Sequence, residues 1–349
     1  MTSAIVIRLL GAVLAVSQGV AGFDIEGPFD INTPVHETLT LSALMHSAFG
    51  APKDLTVDDA PLDLKEFFRG DMWNDDPECQ LFDDKDDDNW DFSSGFTWYR
   101  KFLAAEHGDP DVENLIGRSH FWDLQFLHSM GADIGEMPHD TRDKIMLWLE
   151  VAYKLSIGEG GLGDDDAISS VPITSGDYSL SGFFNSTTKP TGSDNLFKLF
   201  ACSTEFADVD LRRRAIGTCL HVVQDSYAKG HTRRELLNPE DRVSDNSTEF
   251  VEGTYAKPGA IENFHSYKDQ GSAHADLDHW DSDFPDMNPA EPSSFNSLWG
   301  ARMGQEKGAK LLDFWDAGIK WDEGVKEWLL QEVFNLSPKP RPLIILYEC

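Results

Sequence analysis

The stretch Ala215-Ile-Gly-Thr-Cys-Leu-His221-Val-Val-Gln-Asp225-Ser-Tyr-Ala-Lys-Gly-His231 decides how the chain is read. His221 and Asp225 stand four apart in a run with helical apolar spacing, which puts an imidazole and a carboxylate on one face, a turn apart. His231 follows just past Gly230, where a helix stops and the chain can bend a third side chain back toward the first two. The pattern, H-x3-D-x5-H, offers nitrogen and oxygen donors of the kind a first-row divalent metal takes, zinc among them. The same spacing also fits a helix whose His and Asp only hydrogen-bond each other.

Outward from that helix, the chain reads as helices separated by long polar loops. The central helix starts near Ala207 or Asp208, with Leu211, Ala215, Ile216, Cys219, Leu220 and Val223 on its apolar side, and a shorter helix over 195–204 precedes it. Asp140 to Ile157 carries the clearest apolar stripe, Ile145, Leu147, Trp148, Val151, Ala152 and Leu155. The Gly/Ser/Asp-rich run 158–192 reads as a surface excursion bordering the site. Upstream, 98–106 and 118–130 have helical, aromatic-rich spacing; the second holds His120, which serves equally as a core histidine or a ligand. His128 and His139 read as ordinary polar residues. Leu62 to Gly70 is a short helix expected to end at the glycine, after which Asp71-Met-Trp-Asn-Asp75-Asp-Pro77 aims carboxylates from a loop. An amphipathic helix opens at Pro34 and runs to about Phe49, with His36 in its first turn.

Downstream of His231, residues 232–258 read as a polar excursion. Two H-x3-D pairs then compete, His265/Asp269 and His274/Asp278. The second follows Ser272, a good N-cap, and is preferred; the first is cut off by Gly271. One or two closing helices span 301–334, and a Pro-rich tail over 338–349 completes the chain. The acidic run 83–88 lacks the glycine and glutamate of a calcium loop and reads as solvated.

Composition sets the bounds. The 349 residues, 40% hydrophobic with 22 Phe and ten Trp, are enough for a sizeable core. Residues 1–22 have one positive charge, an apolar run and small residues at the end, the pattern of a secretory signal peptide, so a secreted protein is expected. The net charge of −32 speaks weakly against general binding to nucleic acid or anionic membrane, and metals at a site would offset part of it locally. Four cysteines suit an oxidising compartment, and Cys202–Cys219 is the preferred disulfide. Asn185, Asn246 and Asn335 head glycosylation sequons.

Taken together, the order of these ligands resembles the zinc-dependent phospholipase C and S1/P1 nuclease superfamily, the bacterial phospholipases C in particular. The strings HFWD at His120 and H-x3-D-x5-H at His221 carry the resemblance; Asp75 in Trp-Asn-Asp matches by a shorter string, and the rest by order, from Phe23 to Asp278. The resemblance implies a compact all-α domain over 23–337 and up to three zinc ions. Phe23, through its freed amino group, would join His36 and Asp225 at one zinc. Asp75, His120, His221 and Asp225 would hold another, and His231, His274 and Asp278 the third. This chain departs from the family's usual N-terminal Trp and from its Pro-Leu turn before the last histidine of the motif.

The resemblance further implies a monomeric phosphodiesterase acting on a phospholipid or another phosphodiester, in transient contact with a membrane surface. Zinc would make water nucleophilic near neutral pH and neutralise phosphate oxygens, with Asp75 as general base. A single-strand nuclease is the alternative; it needs aromatic platforms such as Trp73, Trp90 or Trp98, which equally fill a core. A non-catalytic secreted protein that keeps metals for stability is the third. Arg212, Arg213, Arg214, Arg233 and Arg234 are read as solvated charges in preference to phosphate contacts.

Overall fold

The computed structural model describes residues 34–81, 92–201, 209–237, 257–267 and 287–342. The expected helical class holds. In chain order the helices are α1 (Val35–His46), α2 (Leu62–Met72), α3 (Phe92–His107), α4 (Leu115–Phe121), α5 (Pro138–Ile157), α6 (Leu180–Phe183), α7 (Leu196–Ala201), α8 (Leu211–Asp225), α9 (Ala301–Asp316) and α10 (Val325–Trp328). Two antiparallel ribbons depart from a purely helical chain. One pairs β1 (Thr174–Ser175) with β2 (Tyr178–Ser179), the other β3 (Thr232–Leu236) with β4 (Pro258–Phe264). The polar run after His231 therefore begins and ends in paired strands, with Thr232 opposite Phe264.

Helix α8 is the axis. Asp210 caps it by accepting from the Arg212 and Arg213 backbone N–H groups, and every residue from Arg214 to Asp225 is buried. Helices α1, α2, α5 and α9 pack around it. The tightest approach is α2 against α8, made possible by two glycines. A Cβ on Gly217 would stand 2.3 Å from the Phe67 carbonyl oxygen, and one on Gly70 would stand 2.2 Å from that of Arg214. Gly70 is thus a contact point inside α2, which runs on to Met72 and so carries Asp71 on the helix, not in the expected loop. Around the crossing lies the main core, where Trp73 and Trp148 stack with centroids 5.2 Å apart and Phe200 packs on both.

Three further expectations change. Helix α1 is buried from Val35 to Met45 on all sides, including His36, Glu37, Thr38, Thr40 and Ser42, so its polar face looks into the protein. The run 118–130 is not one helix. Asn114 caps α4, the chain leaves helical geometry at Trp122, and a 3-10 turn over Gln125–His128 follows. Arg118 holds that bend, donating to both carboxylate oxygens of Asp123 (2.9 and 2.7 Å) and to the Phe183 carbonyl (2.7 Å). Third, Cys219 is a free, buried thiol, so the Cys202–Cys219 bridge is not formed; it packs against α5 and points at the Leu149 carbonyl. Cys79 is disulfide-bonded.

Two of the arginines read as solvated are not. Arg214 is 1% exposed and pairs with Glu66 at 2.7 Å. Arg234 donates to the carbonyls of Ser226, Gly259 and Val333 and lies 4.1 Å over the Tyr227 ring, tying the turn after α8 to the ribbon. Among the described residues no helix is long and apolar enough to cross a membrane.

Candidate metal centre

Six segments converge where α2 crosses α8. Helix α1 supplies His36, α2 and the turn after it supply Asp71 and Asp75, α4 supplies His120, the 3-10 turn supplies His128, α8 supplies His221 and Asp225, and the turn after α8 supplies His231. All eight side chains are buried, none more than 3% exposed. Asp225 sits between them. Its Oδ1 lies 3.3 Å from His36 Nε2, and its Oδ2 lies 2.8 Å from His221 Nε2, 3.1 Å from His128 Nδ1 and 3.4 Å from His231 Nδ1. Asp75 faces the other end, with Oδ1 3.6 Å from His120 Nε2 and 3.8 Å from His128 Nδ1, and Oδ2 3.9 Å from His221 Nδ1.

Local structure fixes which nitrogen each ring presents. His120 Nδ1 donates to the Ile116 carbonyl one turn back (2.8 Å), which turns Nε2 toward Asp75. His36 Nδ1 donates to Gln224 Oε1 (2.6 Å), which turns Nε2 toward Asp225. His231 Nδ1 donates to the His128 carbonyl (2.5 Å), so it holds the 3-10 turn in place. Asn74 adds a second tie, donating to the Leu127 carbonyl at 2.6 Å while accepting from Thr218 on α8. A histidine that donates one N–H to a carbonyl and offers the other nitrogen is the usual form of a metal ligand.

The electrostatics follow from burial opposed by opposite charge. Burial alone would raise Asp225, yet His221, His231 and the hydrogen bonds from His128 and His221 hold it well below the ordinary carboxylate range. Asp75 is likewise held low, against burial, by His221, the His120 hydrogen bond and His128. Burial lowers His221, but Asp225 and Asp75 outweigh it and raise that ring well above its ordinary value. His36 is raised as well, burial and His221 being overcome by Asp225 and Asp71. Burial prevails at His128, which falls to about 4. Asp76, whose carboxylate turns away to accept from the Leu81 N–H (2.7 Å), is pushed by burial up to about 7.

The donor set fits a cation. Asp71 Oδ1, Asp75 Oδ2, His120 Nε2, His128 Nε2, His221 Nδ1 and Asp225 Oδ1 are buried polar atoms with no hydrogen-bond partner among the described residues. So many unsatisfied donors and acceptors in one place are costly unless something binds them. Two groups, His36/His221/Asp225 and Asp75/His128/His221, have ligand atoms all within 4.8 Å of one another. Around a tetrahedral zinc, ligand atoms stand roughly 3.4 Å apart, close to the 3.3 Å between His36 and Asp225.

Of the sequence-derived ligands, His36, Asp75, His120, His221, Asp225 and His231 come together. His265, the less favoured of the two late histidines, follows β4 directly and lies beside His231, its backbone N–H donating to the His231 carbonyl at 2.8 Å. Burial, His231 and Arg233 lower its imidazole to about 4. Phe23, Asp269, His274 and Asp278 lie outside the described residues. Two members were missed. His128 follows a break in the helical pattern, so no periodicity marked it. Asp71 lies one turn before Asp75, a spacing that was hidden by ending α2 at Gly70. Trp73 and Trp98, considered as stacking platforms, are core residues; the Trp98 indole donates to the Asp75 carbonyl (3.0 Å).

Fold and site together define a mainly helical protein with a buried His/Asp cluster suited to hold metal ions. No protein-family model matches the chain, and neither a curated protein nor a solved structure matches it.

Proposed function

We propose that this chain is a secreted zinc-dependent phosphoester hydrolase of the phospholipase C and S1/P1 nuclease type, most similar in activity to the phospholipases C. One observation supports this above all: two metal-ready groups share His221, with Asp225 reaching every histidine around it but His120. A carboxylate placed so can serve two cations at once and fix their separation. Five imidazoles beside three carboxylates favour zinc over calcium or magnesium, which take oxygen.

Zinc, when bound, supplies Lewis acidity toward phosphoryl oxygens and makes water nucleophilic near neutral pH. The chain's own groups do the rest. Asp75, ionised at neutral pH, keeps Oδ1 toward His120 and His128 and offers Oδ2 as ligand or as acceptor of a proton from water. His120 and His36 are held by their Nδ1 partners so that little reorganisation is needed on binding. The acidic chain repels polyanions, and Trp73 and Trp98 are buried, so a lipid phosphodiester is favoured over single-stranded nucleic acid.

The test uses the purified protein before and after chelation and after zinc is restored. Metal content is measured alongside release of phosphocholine from phosphatidylcholine and of nucleotides from single-stranded DNA. Two or three equivalents of zinc and a lipid phosphodiesterase activity lost and recovered with them are expected. A protein that takes up no zinc, or an activity indifferent to its removal, overturns the proposal.

A further inference from the structure

His36 and His221 stack face to face, centroids 4.0 Å apart and planes 20° from parallel, and both turn Nε2 to Asp225. Their other edges face a small polar group that supplies no atom to either metal-ready set. Gln224, the residue before Asp225, accepts from His36 Nδ1 through Oε1 (2.6 Å) and donates from Nε2 to Thr40 Oγ1 (2.8 Å). Thr40 in turn donates to Asp71 Oδ2 (2.6 Å). The remaining Asp71 oxygen, Oδ1, is buried, has no hydrogen-bond partner among the described residues, and lies 3.6 Å from His221 Nδ1 and 3.8 Å from His36 Nδ1.

The direction of this relay is forced from one end. The single Thr40 proton goes to Asp71 Oδ2, the hydroxyl being the donor of that pair. The hydroxyl oxygen must then accept from the Gln224 amide N–H, which turns the Gln224 carbonyl to His36. A carbonyl also only accepts, so Nδ1 is where His36 carries its proton as a neutral ring, and Nε2 keeps the lone pair for a cation. On the other ring, Asp71 Oδ1 stands where an Nδ1–H of His221 needs only a few tenths of an ångström to reach it, leaving His221 Nε2 as the donor beside Asp225. One carboxylate therefore selects the tautomer of two stacked imidazoles.

We propose that Asp71 is the positioning carboxylate of the centre, acting directly on His221 and through Thr40 and Gln224 on His36, so that both rings present Nε2 beside Asp225 as metal ligands. The proposal rests on the view that His36, His221 and Asp225 hold a metal. Carboxylates and carbonyls that orient ligating histidines typically set metal affinity by roughly 10–100-fold.

The experiment measures zinc affinity by competition with a chromophoric chelator, and the visible spectrum of the cobalt-loaded protein, for the unaltered chain and for Thr40→Val, Thr40→Ser and Asp71→Asn. Thr40→Val and Asp71→Asn should each weaken the tightest zinc site about 10–100-fold and shift the cobalt bands. Thr40→Ser, which keeps the hydroxyl, should restore both. Long-range proton–nitrogen NMR of the unaltered zinc-loaded protein should show His36 protonated at Nδ1, a measurement independent of whether any variant folds. A Thr40→Val protein with unchanged affinity and spectrum, or His36 protonated at Nε2, overturns the inference. An unaltered chain that binds neither zinc nor cobalt refutes the metal-site assignment itself, and so is told apart from a failure of the relay.

Discussion

Replacing Gly217 by alanine sets two effects of opposite sign against each other. In a helix interior, Gly→Ala alone stabilises by about 1 kcal/mol. Here the new methyl would meet the Phe67 carbonyl oxygen at 2.3 Å and the Asp71 nitrogen and Gly70 Cα at 2.8 Å, backbone atoms that cannot rotate away. Relief requires α2 and α8 to separate by about 1 Å, and overpacking of this kind costs typically 1–3 kcal/mol or more. The crowding should win, leaving Gly217→Ala about 1–2 kcal/mol less stable in a denaturant titration of the metal-free protein. The same separation draws Asp71 and Asp75 away from His221, now 3.6 and 3.9 Å off, so zinc affinity should fall tenfold or more. A Gly217→Ala protein that is more stable than the parent and binds zinc equally well would refute the claim that this crossing sets the centre's geometry.

Asp76 gives a pH-dependent prediction. Its folded-state pKa of about 7 lies above the unfolded value of roughly 3.9, so the folded chain holds a proton the unfolded chain has lost, and that contribution to stability is full below about pH 4 and gone above about pH 7. Asp76→Asn should therefore gain on the parent as pH rises, by about 2–4 kcal/mol at pH 8, and the gap should close toward pH 4; urea midpoints of the two proteins with parallel pH dependence would count against it. Zinc at a hundred times its dissociation constant should stabilise the native state by about 2.7 kcal/mol per site, visible by calorimetry as a melting temperature about 4 °C higher per site, whereas magnesium at the same concentration should do nothing. Arg214→Met leaves Glu66 buried with Arg69 alone and should cost about 3 kcal/mol in a denaturant titration, most of it recovered in the double variant that also carries Glu66→Leu; a double variant as weak as the single one would show that the ion pair is not the cause.

The centre was legible in the sequence where a regular period carries it. His221 and Asp225 share a helix face because four residues make one turn; the helix ends at Asp225, earlier than the expected stop at Gly230, and the turn over 226–230 brings His231 back. His128 escaped notice because it ends a 3-10 turn, before Ser129 in the left-handed region at φ 52, where neither a three-and-a-half-residue nor a two-residue rhythm applies. Asp71 falls outside the helix the sequence suggests because Gly70 reads as a helix end, whereas its role is to let two backbones touch. Likewise, α1 reads as amphipathic because half of it is polar, but most of those polar groups are buried, and His36 and Thr40 among them face the centre. Strands β3 and β4 were lost in a charged stretch that pairs only once Thr232 meets Phe264. Arg214 and Arg234 were hidden for the same reason: sequence gives their charge, and only tertiary contacts give the carboxylate and carbonyls that absorb it.

Because His36 meets Gln224 across 188 positions, the centre cannot be assembled by any short stretch of the polypeptide. A chain emerging from the ribosome has its first histidine long before its last, and no cation can be captured tightly until α8 and the turn beyond it have been synthesised. On the proposed reading, metal uptake would wait on the folding of the whole centre, so that the metal content of a preparation would count the molecules that have assembled it.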